Sequence, residues 1–219
     1  MTYMKRDTNK NEFSWDRISI QKYYDILDIL DDRDSDEITK NVRLVSLILD
    51  KDEDEVWNMS LPDAGELIGK LRFLNDFKLP DKPNMKISLP GYENLEVMKD
   101  TTSMTVAQYF DYQQFVKMPL RESLEKILSV FLIPKGKKYN EGYDIVDLQN
   151  VIRNHLPFVI AQSLLGFMLR ESVISLNRSL DSCKKTLKKE GNEEKRKDLE
   201  MKIRTIQENL DRLCSIGFC

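Results

Sequence analysis

The chain has 219 residues, of which 41% are hydrophobic and 32% are charged, and its net charge is −3. A chain of this length can bury a substantial core, and its high charged fraction is typical of a helical protein with a charged exterior. The small numbers of glycines and prolines, eight and seven, disfavour a turn-rich sandwich or barrel, and the small net charge predicts no general attraction to nucleic acid.

The first predicted helix follows a short charged segment. Residues 1–13 have no apolar signal-peptide core, and we expect them to form a flexible N-terminus. Ser19 is the expected N-cap, because a serine hydroxyl can accept a hydrogen bond from a free backbone N–H of the first turn. Ile18 and Tyr23 then occupy the two positions of a hydrophobic staple, which fixes how the chain enters the helix.

Two more helices complete a first predicted unit, residues 14–78. Asp34 and Glu37 are expected to form the capping pair of the second helix, and the apolar run over residues 42–49 fills its later turns. Because this run is apolar nearly all round, the second helix is predicted to be central. The third helix is predicted to begin near Pro62, since proline is favoured in the first turn of a helix.

The sequence pattern changes over residues 79–103. Three prolines exclude a continuous helix there. Residues 86–89 and 95–98 alternate apolar and polar side chains on either side of Pro90 and Gly91, which is the pattern of a β-hairpin. An isolated hairpin is only marginally stable in water, so we expect this connector to pack on a helix or on a partner.

A second unit, residues 104–182, begins by repeating the first. Residues 18–25 return as residues 104–111, with identical or chemically similar side chains at every position except Gln21, which is matched by Ala107. A repeat on this scale indicates that one structural unit was duplicated.

The repeated segment carries the same helix-start signals as the first. Thr105 is the expected N-cap, and Gln108 stands three residues later, which completes a capping box. Met104 and Tyr109 fill the positions of the hydrophobic staple. Since two independent capping devices recur in register, a chance match of two ordinary helix starts is the less favoured explanation.

The second unit is predicted to hold two further helices. Pro119 is expected at the first position of the first of these, and the apolar run over residues 126–132 matches the run of the first unit. The last helix is predicted to begin near Pro157 and to continue towards Leu187.

Residues 183–219 form a strongly charged C-terminal segment, in which a break at residues 190–193 precedes a narrow apolar stripe. The stripe predicts a helix that either folds back on the preceding helix or pairs with another chain. It consists of Leu199, Ile203, Ile206, Leu210 and Leu213. The predicted fold class is therefore mainly α, with two diverged three-helix repeats joined by a small β-hairpin and a C-terminal helical hairpin.

Charge is distributed unevenly along the chain. Residues 184–204 carry nine basic and five acidic side chains, a net charge of +4, whereas residues 25–55 carry four basic and twelve acidic ones, a net charge of −8. This polarity could steer a head-to-tail assembly. Helices of mixed charge are also ordinary solvent-facing surfaces, and that interpretation is the favoured one.

No catalytic, cofactor-binding or metal site is predicted. Asp32, Asp34 and Asp36 have the spacing of the first ligands of a calcium loop. However, Glu37 stands where that loop needs a glycine, and Arg43 stands where it needs a bidentate glutamate. Solvated loop acids are therefore the better interpretation.

Other candidate features are also given plain interpretations. His155, the only histidine, is expected to be structural, and residues 135–138 lack any phosphate-binding glycine pattern and are interpreted as a solvated loop. The three cysteines form no disulfide framework and indicate a reducing compartment. No apolar run approaches the roughly 20 residues that a membrane span needs.

Large aromatic side chains gather near the two repeat starts and have two interpretations. Core and staple packing is favoured over an exposed interface patch. These side chains are Trp15, Tyr23, Tyr24, Trp57, Tyr109, Phe110 and Tyr112.

Four blocks, residues 14–20, 42–49, 57–74 and 104–109, resemble segments of virion- and tail-associated proteins of crAss-like bacteriophages that infect Bacteroidetes. The chain is also similar to phage tail-assembly chaperones. The resemblance covers roughly residues 14–180. It implies a non-enzymatic protein, either a tail component or a cargo protein carried inside the particle, and it supplies no catalytic residues.

The function expected from this resemblance is that of a bacteriophage virion protein, made in the host cytoplasm and located in the virion. The expected partners are other phage structural proteins, tail or portal-proximal, and self-association through the C-terminal helix is a further expectation. No specific nucleic acid, cofactor or membrane span is expected. Two alternatives stay open: a tail-assembly chaperone absent from the mature virion, and an intracellular enzyme or regulator, which would need a polar pocket with convergent charged side chains.

Overall fold

Nine α-helices and one small antiparallel sheet make up most of the residues that the structure describes, 12–80, 83–98 and 103–215. The structure is a computed structural model, and it is 67% helix. It confirms the mainly α prediction, with a hairpin between two helix groups. The predicted flexible N-terminus, residues 1–13, lies almost entirely outside the described residues.

The bounds of the elements follow the chain in order. The helices are α1 (Ile20–Asp31), α2 (Glu37–Leu49), α3 (Glu53–Trp57), α4 (Leu61–Lys70), α5 (Val106–Phe115), α6 (Leu120–Phe131), α7 (Ile145–His155), α8 (Phe158–Leu187) and α9 (Glu193–Ser215). The strands are β1 (Lys86–Leu89), β2 (Tyr92–Val97) and β3 (Leu132–Pro134), and short 3-10 helices cover Trp15–Arg17 and Leu71–Asn75.

The two predicted N-caps of the repeated segment are confirmed. The Ser19 hydroxyl accepts from the backbone N–H of Lys22 at 3.2 Å. Thr105 accepts from the N–H of Gln108 at 3.2 Å, and the Gln108 side chain accepts from the N–H of Thr105 at 2.9 Å. Both helices therefore begin where the sequence signals placed them.

Two other predicted helix starts were wrong by one or two residues. Asp36, rather than Asp34, caps α2 by accepting from the N–H of Thr39 at 2.8 Å. Asp34 lies in the preceding turn, where its own N–H donates to Asp32 at 3.0 Å. Pro119 precedes α6 instead of opening it, because its ψ of 138° is extended and its carbonyl accepts from the first turn of the helix.

Two helices were not predicted at all, so each helix group contains four where the sequence predicted three. α3 is a five-residue acidic helix, too short to show a period. α7 has an apolar face and a cap at Asp144, which accepts from two backbone N–H groups. Both helices follow loops whose length differs between the two groups. An alignment of the similar segments of the two units therefore does not include them.

The predicted hairpin is confirmed, and a third strand extends it. β1 and β2 pair antiparallel around Gly91, whose φ of 76° favours glycine. β3, which was not predicted, pairs with β2 directly after α6. The Tyr92 hydroxyl donates to Asp147 at 2.8 Å and so ties the hairpin to α7. The sheet is thus held by helices of the second group, as an otherwise marginal hairpin requires.

Two clusters of buried side chains form the core, and α1 contributes to both. The larger cluster joins α5 to α8 with the sheet, and the smaller joins α2, α3 and the segment before α1. Ile20 and Tyr24 lie in the larger cluster, while Ile26 and Ile29 lie in the smaller one. Because these pairs project from opposite sides of the helix, α1 holds the two helix groups together.

α8 and α9 form the predicted C-terminal hairpin, and α9 packs back along α8. The first half of α8 is buried in the larger cluster, up to Leu169. By length and composition α8 is the one helix among the described residues that is long and apolar enough to cross a membrane. An apolar run of this length was not predicted from the sequence, although a helix from near Pro157 towards Leu187 was. It is weak evidence for a span, because a buried core helix passes the same test.

Candidate functional site

One side of α5 packs in the core, and the described residues leave the opposite, apolar side uncovered. Gln108 and Tyr112 point into the larger core cluster. Val106, Tyr109 and Phe110 are 75%, 44% and 62% exposed. Since Tyr109 and Phe110 each lie about one helical turn after Val106, the three side chains form a continuous exposed strip, which we call the α5 face.

The α5 face is presented by a firmly held helix. The capping box closes its first turn, and the Gln108 side chain donates to the carbonyl of Val130 on α6 at 3.1 Å. The Tyr112 ring meets the Phe131 ring edge to face, with centroids 5.5 Å apart, and burial raises the pKa of Tyr112. A helix fixed in this way loses little further conformational entropy when a partner covers its outer side.

A loop contact also fixes the middle of α5. The Tyr139 hydroxyl donates to Asp111 at 2.7 Å, and burial together with this bond raises the pKa of Tyr139. Two more exposed apolar side chains, Val116 and Leu120, follow α5 in the chain. Exposed apolar side chains that gather on one element mark interaction sites more often than singly scattered ones do.

A polar seam runs between α1, α6 and α7. Arg153 donates to Glu125 at 3.1 Å and to Gln21 at 2.6 Å, and Gln21 donates to Asp25 at 2.7 Å. Glu125 is almost fully buried, and its second carboxylate oxygen has no hydrogen-bond partner among the described residues. This seam fixes the position of α1 against the second helix group.

Tyr24 lies in the middle of this seam. Its hydroxyl donates to the carbonyl of Leu120 at 3.3 Å. The guanidinium groups of Arg121 and Arg153 lie 5.3 and 5.9 Å from its ring centroid. Burial, and after it the nearby charge of Glu125, raises the pKa of Tyr24. The contacts of Tyr24 are all internal, so the seam is structural.

An open cavity of 520 Å³ lies between α1, α2 and α3, and we call it the acidic groove. Most of its charges are paired within the chain: Asp50 with Lys22 at 2.7 Å, Asp28 with Arg121, Glu53 with Arg43 at 3.8 Å, and Lys51 with Glu55 at 3.1 Å. Ser46 is its one hydroxyl, and that hydroxyl donates to the carbonyl of Lys51. Its lining is Asp25, Asp28, Ile29, Arg43, Ser46, Leu47, Asp50, Lys51 and Glu53. The groove has convergent charges but no nucleophile paired with a base among these residues.

The acids that matched a calcium loop are used for local structure. Asp32 accepts from the Ser35 hydroxyl at 2.7 Å, from the N–H of Asp34 and from Arg43 at 2.8 Å. These bonds, that of Ser35 first, lower the pKa of Asp32 to about 2. Asp36 caps α2. The described residues contain no group of His, Cys, Asp and Glu that could hold a metal ion.

A second cavity, of 300 Å³, is apolar and lies beside the start of α1. Tyr23 stacks on Phe158 with the ring centroids 3.5 Å apart, and Trp15 donates to the carbonyl of Phe73 at 3.0 Å. Core packing is therefore confirmed for these aromatic side chains of the first unit. It was wrong for Trp57 of the first unit and for Tyr109 and Phe110 of the second, which are 50%, 44% and 62% exposed.

The remaining candidates lie on the surface. His155 is exposed in the last turn of α7. Residues 135–138 form a turn after β3, in which Gly136 has a φ of 75° and the N–H of Lys137 donates to the carbonyl of Pro134 at 2.9 Å. Neither of them contributes to the α5 face or to a described cavity.

Comparisons of the chain with protein-family models, with curated proteins and with solved structures found no match.

Proposed function

We propose that this chain is a non-enzymatic assembly protein that binds another protein through the α5 face. One observation carries the proposal: a rigid, capped helix exposes Val106, Tyr109 and Phe110 along one side while its other side is packed in the core. Side chains at i, i+3 and i+4 are the anchors with which a helix binds an apolar groove on a partner.

The size of the anchors supports a binding role. Fully burying a large apolar side chain contributes roughly 1.5–3 kcal/mol relative to leaving it exposed. Tyrosine is among the residue types that dominate binding energy at protein interfaces. Tyr109 and Phe110 are therefore the two side chains whose removal should weaken binding most.

The sequence resemblance gives the proposed setting. Likeness to virion- and tail-associated proteins of crAss-like phages supports a place in the virion, as a tail component or as cargo. The partners would then be other phage structural proteins near the tail or the portal. The absence of a nucleophile and base together in the lining of the acidic groove favours this assembly role over an enzyme.

Mass spectrometry of purified particles tests this proposal. We expect the chain in mature virions, and we expect the double variant Tyr109→Ser/Phe110→Ser to be incorporated far less than wild type. The matched control, Ile38→Ser/Val146→Ser, removes two side chains that are equally exposed on other helices and should be incorporated normally.

The same measurement separates the alternatives. A chain abundant in infected cells but absent from particles would overturn the virion proposal in favour of a tail-assembly chaperone. Equal incorporation of the two double variants would overturn the role of the α5 face.

A further inference from the structure

The α8–α9 hairpin projects from the core as an arm. Leu169 is the last α8 residue in either core cluster. The helix continues from there to Leu187, about 27 Å at 1.5 Å per residue. Over residues 193–208, α9 has no fully buried side chain. The arm beyond Leu169 is thus supported mainly by contact between its own two helices.

The tip of this arm carries cations that have no ion-pair partner among the described residues. Lys197 and Lys202 pair within α9, with Glu193 and Asp198. The other cations near the turn have no carboxylate within 4 Å among the described residues, and all of them are exposed. We call them the arm tip: Lys184, Lys185, Lys188, Lys189, Lys195 and Arg196.

The acidic groove has the opposite charge and a volume that can receive side chains of such a tip. Asp25 and Glu53 line it, and three exposed acids of the α2–α3 region, Asp52, Asp54 and Glu55, lie next to it in the chain. Its volume of 520 Å³ can admit several long side chains. The net charge of −8 over residues 25–55 already counts the groove cations Arg43 and Lys51. Lys22 and Arg121, which pair with Asp50 and Asp28, offset it by two charges, from −8 to −6, so the region stays acidic.

We infer that the arm tip of one copy docks in the acidic groove of a second copy. No ion pair joins the tip to the groove within one chain among the described residues. The arm and the groove are different surfaces, so their contact is heterologous and leaves each end of a dimer able to bind again. The outcome is a head-to-tail chain or ring, held independently of the α5 face.

Charge favours a second copy over a nucleic acid as the occupant. The whole chain has a net charge of −3, which disfavours approach to a phosphate backbone. Residues 184–197 contain no aromatic side chain on which a base could stack. An acidic groove, in contrast, is supplied by every other copy at the same concentration as the arm.

Sedimentation velocity at low and high salt tests the inference. At about 50 mM salt, the average sedimentation coefficient of wild type should rise with protein concentration as the chain associates. At about 500 mM salt the protein should be monomeric, because salt screens exposed charges. Lys184→Glu/Lys188→Glu should weaken association by about tenfold or more at low salt. The control Arg178→Glu/Arg204→Glu changes the net charge equally, but midway along the arm, and should associate like wild type.

A mixing experiment then identifies the receiving surface. Asp25→Lys/Glu53→Lys should likewise associate at least about tenfold more weakly than wild type at low salt, since its groove repels the tip. Mixed with Lys184→Glu/Lys188→Glu, it should form a one-to-one dimer, because one intact tip and one intact groove remain. Circular dichroism melting would show that each variant is folded.

Three results would overturn the inference: monomeric wild type at low salt, equal weakening by the tip variant and its control, or a mixture of the two folded variants that stays monomeric. Binding of the tip to a heparin column without any self-association would likewise overturn it in favour of a polyanionic partner.

Discussion

The starts of α1 and α5 have chemically similar sequences over eight residues but lie in different surroundings. In α1, Tyr23 stacks on Phe158, and Tyr24 packs within the polar seam. Their counterparts in α5, Tyr109 and Phe110, face outward. A matching sequence has thus given matching caps and opposite burial.

The difference arises from the neighbours of each helix. α1 is packed against α2 on one side and against α7 and α8 on the other, whereas α5 packs mainly against α6. Capping depends on atoms within one turn of helix, but burial depends on what covers the surface. Similar helices can therefore be a central support in one unit and a presented surface in the other.

The largest expected difference in the free energy of unfolding is between removing the ring of Tyr24 and removing that of Phe110, which occupy matching positions of α1 and α5. Tyr24→Ala should lower the free energy of unfolding by about 3–5 kcal/mol, because it leaves a cavity in a packed core. Phe110→Ala should change it by less than about 0.5 kcal/mol, since its ring is mostly in solvent. Urea denaturation of both variants measures the contrast. Similar losses would show that Phe110 is packed within the chain.

The one dissimilar pair in the repeat gives the next largest effect. Gln21 bonds both Arg153 and Asp25, while Ala107 is exposed at the matching position of α5. Gln21→Ala should cost about 1–2 kcal/mol, because it leaves polar groups of the seam without a partner. Ala107→Gln should be neutral within about 0.5 kcal/mol. Chemical denaturation checks both, and a neutral Gln21→Ala would mean that the seam does not stabilise α1.

Removing the two caps should, in contrast, have equal effects. Ser19→Ala and Thr105→Ala should each cost about 1 kcal/mol, because each removes an acceptor for a first-turn N–H. Thermal unfolding by circular dichroism provides the comparison. If only Ser19→Ala lowered the stability, the α5 cap would contribute none, and the two caps would not be equivalent.

The smallest effect concerns the turn after α1. The pKa of Asp32 is lowered from 3.8 to about 2, mainly by the Ser35 hydroxyl. A carboxyl group whose pKa is lower in the folded than in the unfolded state stabilises the fold at pH values above its unfolded pKa. This contribution is lost as the pH falls from about 4 to about 2. The stability difference between wild type and Asp32→Asn should shrink over that range in urea denaturation. A constant difference would show that Asp32 titrates normally.

Signals carried by a few neighbouring residues were read correctly from the sequence. Ser19 and Thr105 cap their helices, and residues 86–89 form a strand beside Gly91.

The cap of α2 was misplaced because three aspartates compete within one turn, and the backbone conformation selects Asp36. Strand β3 was missed because three residues carry no period of their own.

The sequence by itself determined where α1 and α5 start, that α9 carries a stripe able to pack on α8, and that a basic and an acidic region lie far apart in the chain. These features are local, or are simple sums of charge. Only the tertiary structure decided that α1 serves both clusters, that Arg153 meets Gln21, and that the α5 face is left uncovered. Burial and pairing of this kind depend on which elements meet in space, and a repeated block of residues does not encode its neighbours.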